Sequence, residues 1–213
     1  IINYEGFMRK WQPRVASNIN QFINTYIHRR IVNFESLTEG EYDAFIVGSD
    51  QVWRPSYNQH LEQAFLNFTE NWKNVKRIAY AASFGVDNWE FTKEQTEECK
   101  KLVRKFDLVS VREDTAVNLC KEHLGIEATH VLDPTLLLSA NDYQKLIDGL
   151  KISDSPYVFS YLLDESEEKI DILEDISKRL NLPVRKIKLE KDISKIPMSK
   201  LKSLTYPSIQ EWL

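Results

Sequence analysis

One apolar run that ends at a glycine constrains the fold more than any other part of this 213-residue chain. Residues 42–47 read Tyr-Asp-Ala-Phe-Ile-Val, and Gly48, Ser49, Asp50 and Gln51 follow directly. A short, nearly continuous apolar run of this kind is typical of a strand buried on both faces, as in a parallel sheet. Because open α/β folds bind ligands at the carboxyl ends of such strands, the polar residues predict a site. The alternative is an ordinary strand-to-turn junction in which Asp50 caps the next helix.

The pattern of a strand with a polar end recurs three times further along the chain. It occurs at residues 77–85, 108–112 and 130–134, and amphipathic helices are predicted between the strands, as at residues 92–105. Strands that alternate with helices favour repeated right-handed βαβ units. We therefore predict one Rossmann-like, doubly wound α/β domain with a parallel sheet over residues 1–150.

A second domain is predicted after a polar segment, Ser-Asp-Ser-Pro at residues 153–156, which is the best linker candidate in the chain. Beyond it, residues 157–163 and 183–189 are predicted strands on either side of a helix at residues 165–180. A strand–helix–strand start after a linker indicates that residues 151–213 begin a second Rossmann-like α/β domain, which this chain leaves incomplete.

The composition argues against several classes of protein. Apolar residues make up 42% of the chain and charged residues 28%, as in soluble globular proteins. A net charge of -4 without a basic stripe argues against nucleic-acid binding, and no apolar run approaches the roughly 18 residues of a membrane span. The cysteines, Cys99 and Cys120, have no CxxC spacing and are expected to be thiols in a reducing cytosol. The chain opens on Ile1 and stops at Leu213 within a helical pattern, so we expect a fragment of a longer protein.

The four strand ends deliver polar side chains and glycines to one edge of the predicted sheet. These residues are Gly48, Ser49, Asp50 and Gln51, then Ser83 and Gly85, then Arg112, Glu113 and Asp114, and finally Asp133. A guanidinium at a strand's carboxyl end, beside a helix N-terminus, can hold a phosphate or a carboxylate bidentately, which makes Arg112 the main candidate ligand for an anion. The alternative, equally open, is that Arg112 pairs with Glu113 or Asp133 as local scaffolding.

Other candidate groups are less informative. Asp50 and Asp133 are of the type that serves as general acid, general base or metal ligand, although Asp133 precedes a proline and is expected to order the turn. The four histidines fall at no metal-ligand spacing, so no metal is predicted. His60 lies in a predicted loop, whereas His130 lies in a predicted strand and is expected to be a core residue. No Walker loop, GxGxxG, GxSxG or HExxH motif is present, which counts against P-loop NTPases, typical dinucleotide enzymes, serine hydrolases and zincins.

Taken together, the ordered motifs resemble the polysaccharide pyruvyl transferase family. The motifs lie at residues 42–53, 65–68, 77–85, 110–113 and 131–135, and residues 206–213 resemble part of the family's second domain. The resemblance implies two Rossmann-like domains in a GT-B-like arrangement, with phosphoenolpyruvate and a sugar or lipid-linked glycan acceptor meeting in the cleft between them. It implies transfer of the pyruvyl group onto two sugar hydroxyls as a ketal, release of phosphate, no separate cofactor, and a role in bacterial exopolysaccharide biosynthesis.

The resemblance also implies roles for individual residues. The substrate-binding residues it implies are Gly48, Ser49, Gln51, Ser83, Gly85 and Arg112. Arg112 would hold the anionic donor, and Asp50 or Glu113 would handle protons. The family's glycine-containing N-terminal strand and its Asp-Ser-Phe-His-Gly-type segment, with the expected acid–base histidine, are not in this sequence, so we expect part of the active site to be missing.

Two other interpretations stay open at the level of the sequence. A GT-B glycosyltransferase that uses a nucleotide sugar would have the same fold, although the part of the second domain present shows no nucleotide-binding acidic or glycine-rich segment. The other interpretation is a truncated, non-catalytic domain that binds glycans. For the pyruvyl transferase, the expected location is the cytoplasm, with peripheral contact at the inner face of the membrane as an option.

Overall fold

The computed structural model of the protein describes residues 13–149, 155–162, 165–186 and 208–212. The chain divides into two compact units. One unit is Arg30–Asn141, and the other joins the described residues before Arg30 to those from Asp142 onward. The predicted domain boundary at residue 150 and the first two of the four predicted linker residues lie outside the described residues, so the boundary stays a prediction.

A parallel four-stranded sheet forms the unit Arg30–Asn141. Its strands, side by side in chain order, are β1 (Ala44–Val47), β2 (Lys76–Ala82), β3 (Leu108–Val111) and β4 (Thr129–His130). The register places Ile46 beside Ile78 and Ile78 beside Leu108. The predicted α/β class and parallel pairing are therefore confirmed, and the arrangement is consistent with a Rossmann-like domain.

Helices precede, connect and follow the strands. In chain order they are α1 (Ser17–Phe22), α2 (Leu61–Ala64), α3 (Lys93–Val103), α4 (Asp114–Leu119), α5 (Ala140–Ile147), α6 (Glu167–Leu180) and α7 (Ile209–Trp212). Helices α1 and α4 continue into π-helical turns at Ile23–Ile27 and Cys120–Leu124. Short 3-10 turns lie at Phe34–Ser36, Asn67–Thr69 and Pro134–Leu137. No helix within the described residues is both long enough and apolar enough to cross a membrane.

The predicted helix at residues 92–105 is confirmed, and its local sequence explains where it begins. The Thr92 hydroxyl accepts a hydrogen bond from the Gln95 N–H at 3.2 Å, while the Gln95 side chain accepts one from the Thr92 N–H at 2.9 Å. Two N–H groups that the helix itself leaves unpaired are satisfied in this way. The same helix buries Cys99 and Leu102 in the core beneath the sheet.

Trp53 anchors the loop that follows β1 to the core. Its ring is fully buried and stacks on Phe65 at 4.6 Å between centroids and 12° between planes. Its indole N–H donates to the carbonyl of Ala64 at 3.1 Å, so the polar atom of this large side chain is satisfied. Residues 48–52, which precede Trp53, are thereby held between the end of β1 and a fixed point in the core.

The prediction that β1 is buried on both faces is wrong. Ile46 is 68% exposed, although every residue of Ala44–Val47 is apolar. Right-handed crossovers between strands that follow one another in order place their helices on one face of the sheet, so the described part of the sheet is not doubly wound as predicted. In addition, β1 pairs with β2 alone among the strands that the structure describes. The apolar run therefore predicted the strand and its parallel pairing, but not its exposure.

The second unit contains the start of another α/β pattern. Strands β5 (Val158–Ser160) and β6 (Val184–Lys186) pair in parallel, and α6 connects them, which confirms the strand–helix–strand prediction in the described residues. The Ser166 side chain caps α6 by accepting the Lys169 N–H at 3.4 Å. The ends of the predicted strands at residues 163 and 187–189 lie outside the described residues.

Both cysteine thiols are expected to be unreactive in the folded protein. Burial raises the pKa of Cys99 and of Cys120 to about 12, so at pH 8 almost no thiolate is present. With a chromogenic disulfide reagent at pH 8, we expect no fast reaction of the native protein and full titration of both thiols after denaturation. Fast reaction of either thiol under native conditions would contradict the packing of α3 and of the π-helical turn after α4.

Candidate functional site

Arg112 lies at the centre of a group of carboxylates at the carboxyl edge of the sheet. Its Nη1 is 3.1 Å from Asp133 Oδ2, its Nε 3.3 Å from Glu113 Oε1 and its Nη2 3.6 Å from Asp50 Oδ1. The residue directly follows β3, and its backbone N–H donates to the carbonyl of Ala82 at 3.2 Å. These partners fix the side chain of Arg112. Because 27% of the side chain is exposed, it is still accessible to a ligand.

The polar ends of all four strands meet around this guanidinium, as the parallel topology predicts. Asp50 follows β1, Glu113 follows β3 and Asp133 follows β4, and each is paired with Arg112. Ser83 follows β2 and reaches the group through Glu113. We name these five residues the strand-end cluster; their chemical roles stay predictions.

Glu113 is held through one of its two oxygens. The fully buried Ser83 donates its hydroxyl to Glu113 Oε1 at 2.6 Å and accepts the N–H of Gly85 at 3.0 Å. Oε2 is buried, and no group of the described chain hydrogen-bonds to it. Buried polar atoms are usually paired, and exceptions occur at functional positions. Glu113 is therefore anchored through Oε1, whereas Oε2 has no hydrogen-bond partner among the described residues.

Two glycines allow close packing beside the cluster. Gly48 has φ +139°, and a Cβ at this position would collide with the carbonyl oxygen of Tyr80. Gly85 has φ +71°, and the side-chain oxygen of Gln51 occupies the space that its Cβ would take. Ser49 is half-buried, and within the described part of the chain no hydrogen bond joins its side chain to the cluster. The predicted residues Gly48, Gln51 and Gly85 thus shape the loops, whereas Ser49 does not join the cluster.

The charges of the cluster are unequal, since three carboxylates surround one guanidinium. The backbone N–H and the hydroxyl of Thr135 donate to Asp133 Oδ1 at 3.0 and 2.8 Å, and together with Arg112 they hold the pKa of Asp133 below its usual value. Burial disfavours the charge of Arg112, but its hydrogen bonds to Asp133 and Glu113 outweigh burial and raise its pKa. Arg112 is therefore charged at every physiological pH. Asp133 both orders its turn, as predicted, and pairs with Arg112.

The histidines differ from their predictions in one case. His130 is exposed rather than a core residue, and its Nε2 lies 3.1 Å from the carbonyl oxygen of Arg112. The reason is that β4 is only two residues long and, within the described sheet, lies at one edge. His60 is exposed and lies 3.8 Å from Glu62, without contact to the cluster. No group of three or more potential metal ligands occurs among the described residues.

Arg54 is a further residue of this edge that sequence reasoning missed. Its Nη1 donates to Gln51 Oε1 at 3.0 Å and its Nε to Glu90 Oε2 at 3.2 Å, so it joins the loop after β1 to the loop after β2. Its only signal in the sequence is its position six residues after Gly48. Neither partner is predictable without knowledge of the loop packing.

Comparison with known proteins gives one match. The family model described as polysaccharide pyruvyl transferase matches residues 1–213, which is the whole chain. Neither the search of curated proteins nor that of solved structures returned a match. The motifs that meet in the strand-end cluster are those that resemble this family. The chain therefore belongs to the polysaccharide pyruvyl transferase family.

Proposed function

We propose that the intact protein transfers the pyruvyl group of phosphoenolpyruvate to two hydroxyls of a sugar in a cell-surface polysaccharide precursor and releases phosphate. Family membership supports the transfer of a pyruvyl group to a polysaccharide. The single observation that carries the choice of donor is Arg112, a charged and partly accessible guanidinium fixed at the carboxyl edge of the sheet. A planar guanidinium matches the geometry of both anionic groups of phosphoenolpyruvate.

Donor binding requires that one carboxylate leave Arg112. Asp50 is the partner most easily displaced, because its side chain is 85% exposed and its 3.6 Å contact is the longest of the three. Exposed ion pairs of this kind contribute little, about 0–1 kcal/mol. The anionic donor then takes the place of Asp50 on Nη2, while Asp133 and Glu113 keep the rest of the guanidinium in position. Asp50 is released next to the reacting centre.

The reaction needs one proton donor and a base for the sugar. A proton adds to the methylene carbon of the donor, two sugar oxygens form bonds to the neighbouring carbon, and the bond from that carbon to the phosphate oxygen breaks. The two hydroxyl protons balance the methyl proton and the proton that leaves with phosphate. We assign the proton transfer to the methylene carbon to Glu113 and the deprotonation of a sugar hydroxyl to Asp50, since both carboxylates lie beside the Arg112 guanidinium.

A second Rossmann-like domain in a GT-B-like arrangement completes the proposal. The parallel pair of β5 and β6 with α6 between them supports such a domain. The acceptor would be a sugar or a lipid-linked glycan.

Phosphate release from phosphoenolpyruvate by the intact protein tests this function, with a panel of glycans and glycan-lipids as acceptors. We expect release that depends on one class of acceptor. In the matched Glu113→Gln variant we expect donor binding to persist while turnover falls by about 10²–10⁴-fold, as for the loss of a general acid. No release with any acceptor, together with thermal stabilisation by nucleotide sugars but not by phosphoenolpyruvate, would contradict the proposal and favour a glycosyltransferase.

A further inference from the structure

Tyr57 is an exposed aromatic residue that specific contacts hold in place. It lies between β1 and α2, and 70% of its surface is exposed. The guanidinium carbon of Arg54 lies over its ring, 4.6 Å from the centroid. Single exposed apolar residues are common and usually have no special role. Tyr57 differs because a partly buried charged side chain supports one side of its ring.

Arg54 is itself fixed from several sides. Its side chain is only 19% exposed and is hydrogen-bonded to Glu90 and Gln51, and its carbonyl accepts the N–H of Tyr57 at 3.1 Å. The ring is thus ordered without being packed into the core. A side chain that is already ordered loses less conformational entropy when a ligand binds to it.

The loop that carries Tyr57 is built on the strand-end cluster. Gln51, which Arg54 holds, directly follows Asp50, and Asp50 is 3.6 Å from Arg112. The side chain of Gln51 also packs against Gly85, whose N–H is bonded within the cluster. Two short chains of contacts therefore connect the ring to the residues that we assign to the reaction.

The exposed ring of Tyr57 suits the C–H face of a sugar. One face of a pyranose ring presents C–H bonds with partial positive charge, and these are attracted to the negative face of an aromatic ring. The surplus of carboxylates over guanidinium in the cluster offers acceptors for sugar hydroxyls. We propose that Tyr57, braced by Arg54, is the stacking platform for the acceptor, a neutral hexopyranose. This inference rests on the proposed function and names its acceptor subsite.

Glycan binding tests the platform independently of turnover. The protein is titrated with neutral oligosaccharides that end in glucose, galactose, mannose or an N-acetylhexosamine, and contacts are followed by saturation-transfer NMR. We expect Tyr57→Ala to raise the Kd of the bound sugar by about tenfold, which is in the upper part of the range for one aromatic contact. The KM for phosphoenolpyruvate should be unchanged. Tyr57→Phe keeps the ring and should bind within about twofold of wild type, whereas Tyr57→Leu should resemble the alanine variant.

Three possible results test whether Tyr57 is the stacking platform. Binding in Tyr57→Ala equal to wild type, with the fold verified by thermal unfolding, would overturn the platform. Failure of every oligosaccharide to bind the wild-type protein would overturn it as well. Glycan binding that depends on the ring, without any phosphate release from phosphoenolpyruvate, would support the platform and reject the proposed function, so the two failures are distinguishable.

Discussion

Replacing Arg112 with alanine is expected to lower kcat/KM for phosphoenolpyruvate by about a thousandfold, because about two charge-assisted hydrogen bonds to the donor are lost. The loss has a second source. Without the guanidinium, Asp50, Glu113 and Asp133 face each other and the donor without a compensating charge. Three neighbouring negative charges oppose the entry of an anionic donor. Acceptor-dependent phosphate release over a range of donor concentrations measures the effect.

Two control variants separate charge, geometry and folding. Arg112→Lys keeps the charge but loses the planar fork, so we expect a smaller loss of about 10–100-fold. Arg104, an exposed arginine at the end of α3, is the matched control, and Arg104→Ala should leave the kinetics unchanged. Thermal unfolding of each variant shows whether the fold persists. Wild-type kinetics in a folded Arg112→Ala protein would remove Arg112 from the donor site.

Replacing Gly48 with alanine is expected to lower the free energy of unfolding by about 3–5 kcal/mol, among the largest effects of a single substitution. Two causes act together at this position. The backbone angle of +139° is one that residues with a side chain rarely adopt, and the added Cβ would collide with the Tyr80 carbonyl. The collision is with a backbone atom of β2, so the rotation of a side chain cannot relieve it. The midpoint of denaturant unfolding measures the loss.

Gly40 provides the matched control for this substitution. Its φ is +90°, but no atom lies within 4 Å of the position of an added Cβ. Gly40→Ala therefore tests the backbone angle alone and should lower the free energy of unfolding by about 1–2 kcal/mol. Equal losses in the two variants would show that the close approach of Gly48 to β2 contributes nothing.

The sequence predicted the sheet well because its signals are local. Each apolar run lies within a few residues, and the intervening helices carry their own caps, such as Thr92 with Gln95. The parallel topology then requires that Asp50, Arg112 and Asp133 approach one another, and the structure confirms that they do.

The features that the sequence did not predict depend on contacts between distant parts of the chain. The exposure of Ile46 follows from which elements cover the sheet, which no local pattern records. His130 was expected in the core because a two-residue strand cannot be distinguished from a longer one in the sequence. Arg54 and Tyr57 were missed because their arrangement depends on Glu90, which lies in the loop after the next strand.

The fate of the donor carbon distinguishes pyruvyl transfer from every alternative reaction. The intact protein is incubated with phosphoenolpyruvate labelled with ¹³C at the carbon that bears the phosphate, together with the acceptor, and the products are followed by ¹³C and ³¹P NMR. We predict that the label appears in the glycan as a carbon bonded to two oxygens, in amounts equal to the phosphate released. Two results would contradict pyruvyl transfer to the glycan. One is release of phosphate with the label in free pyruvate, and the other is an intact donor together with transfer from a nucleotide sugar.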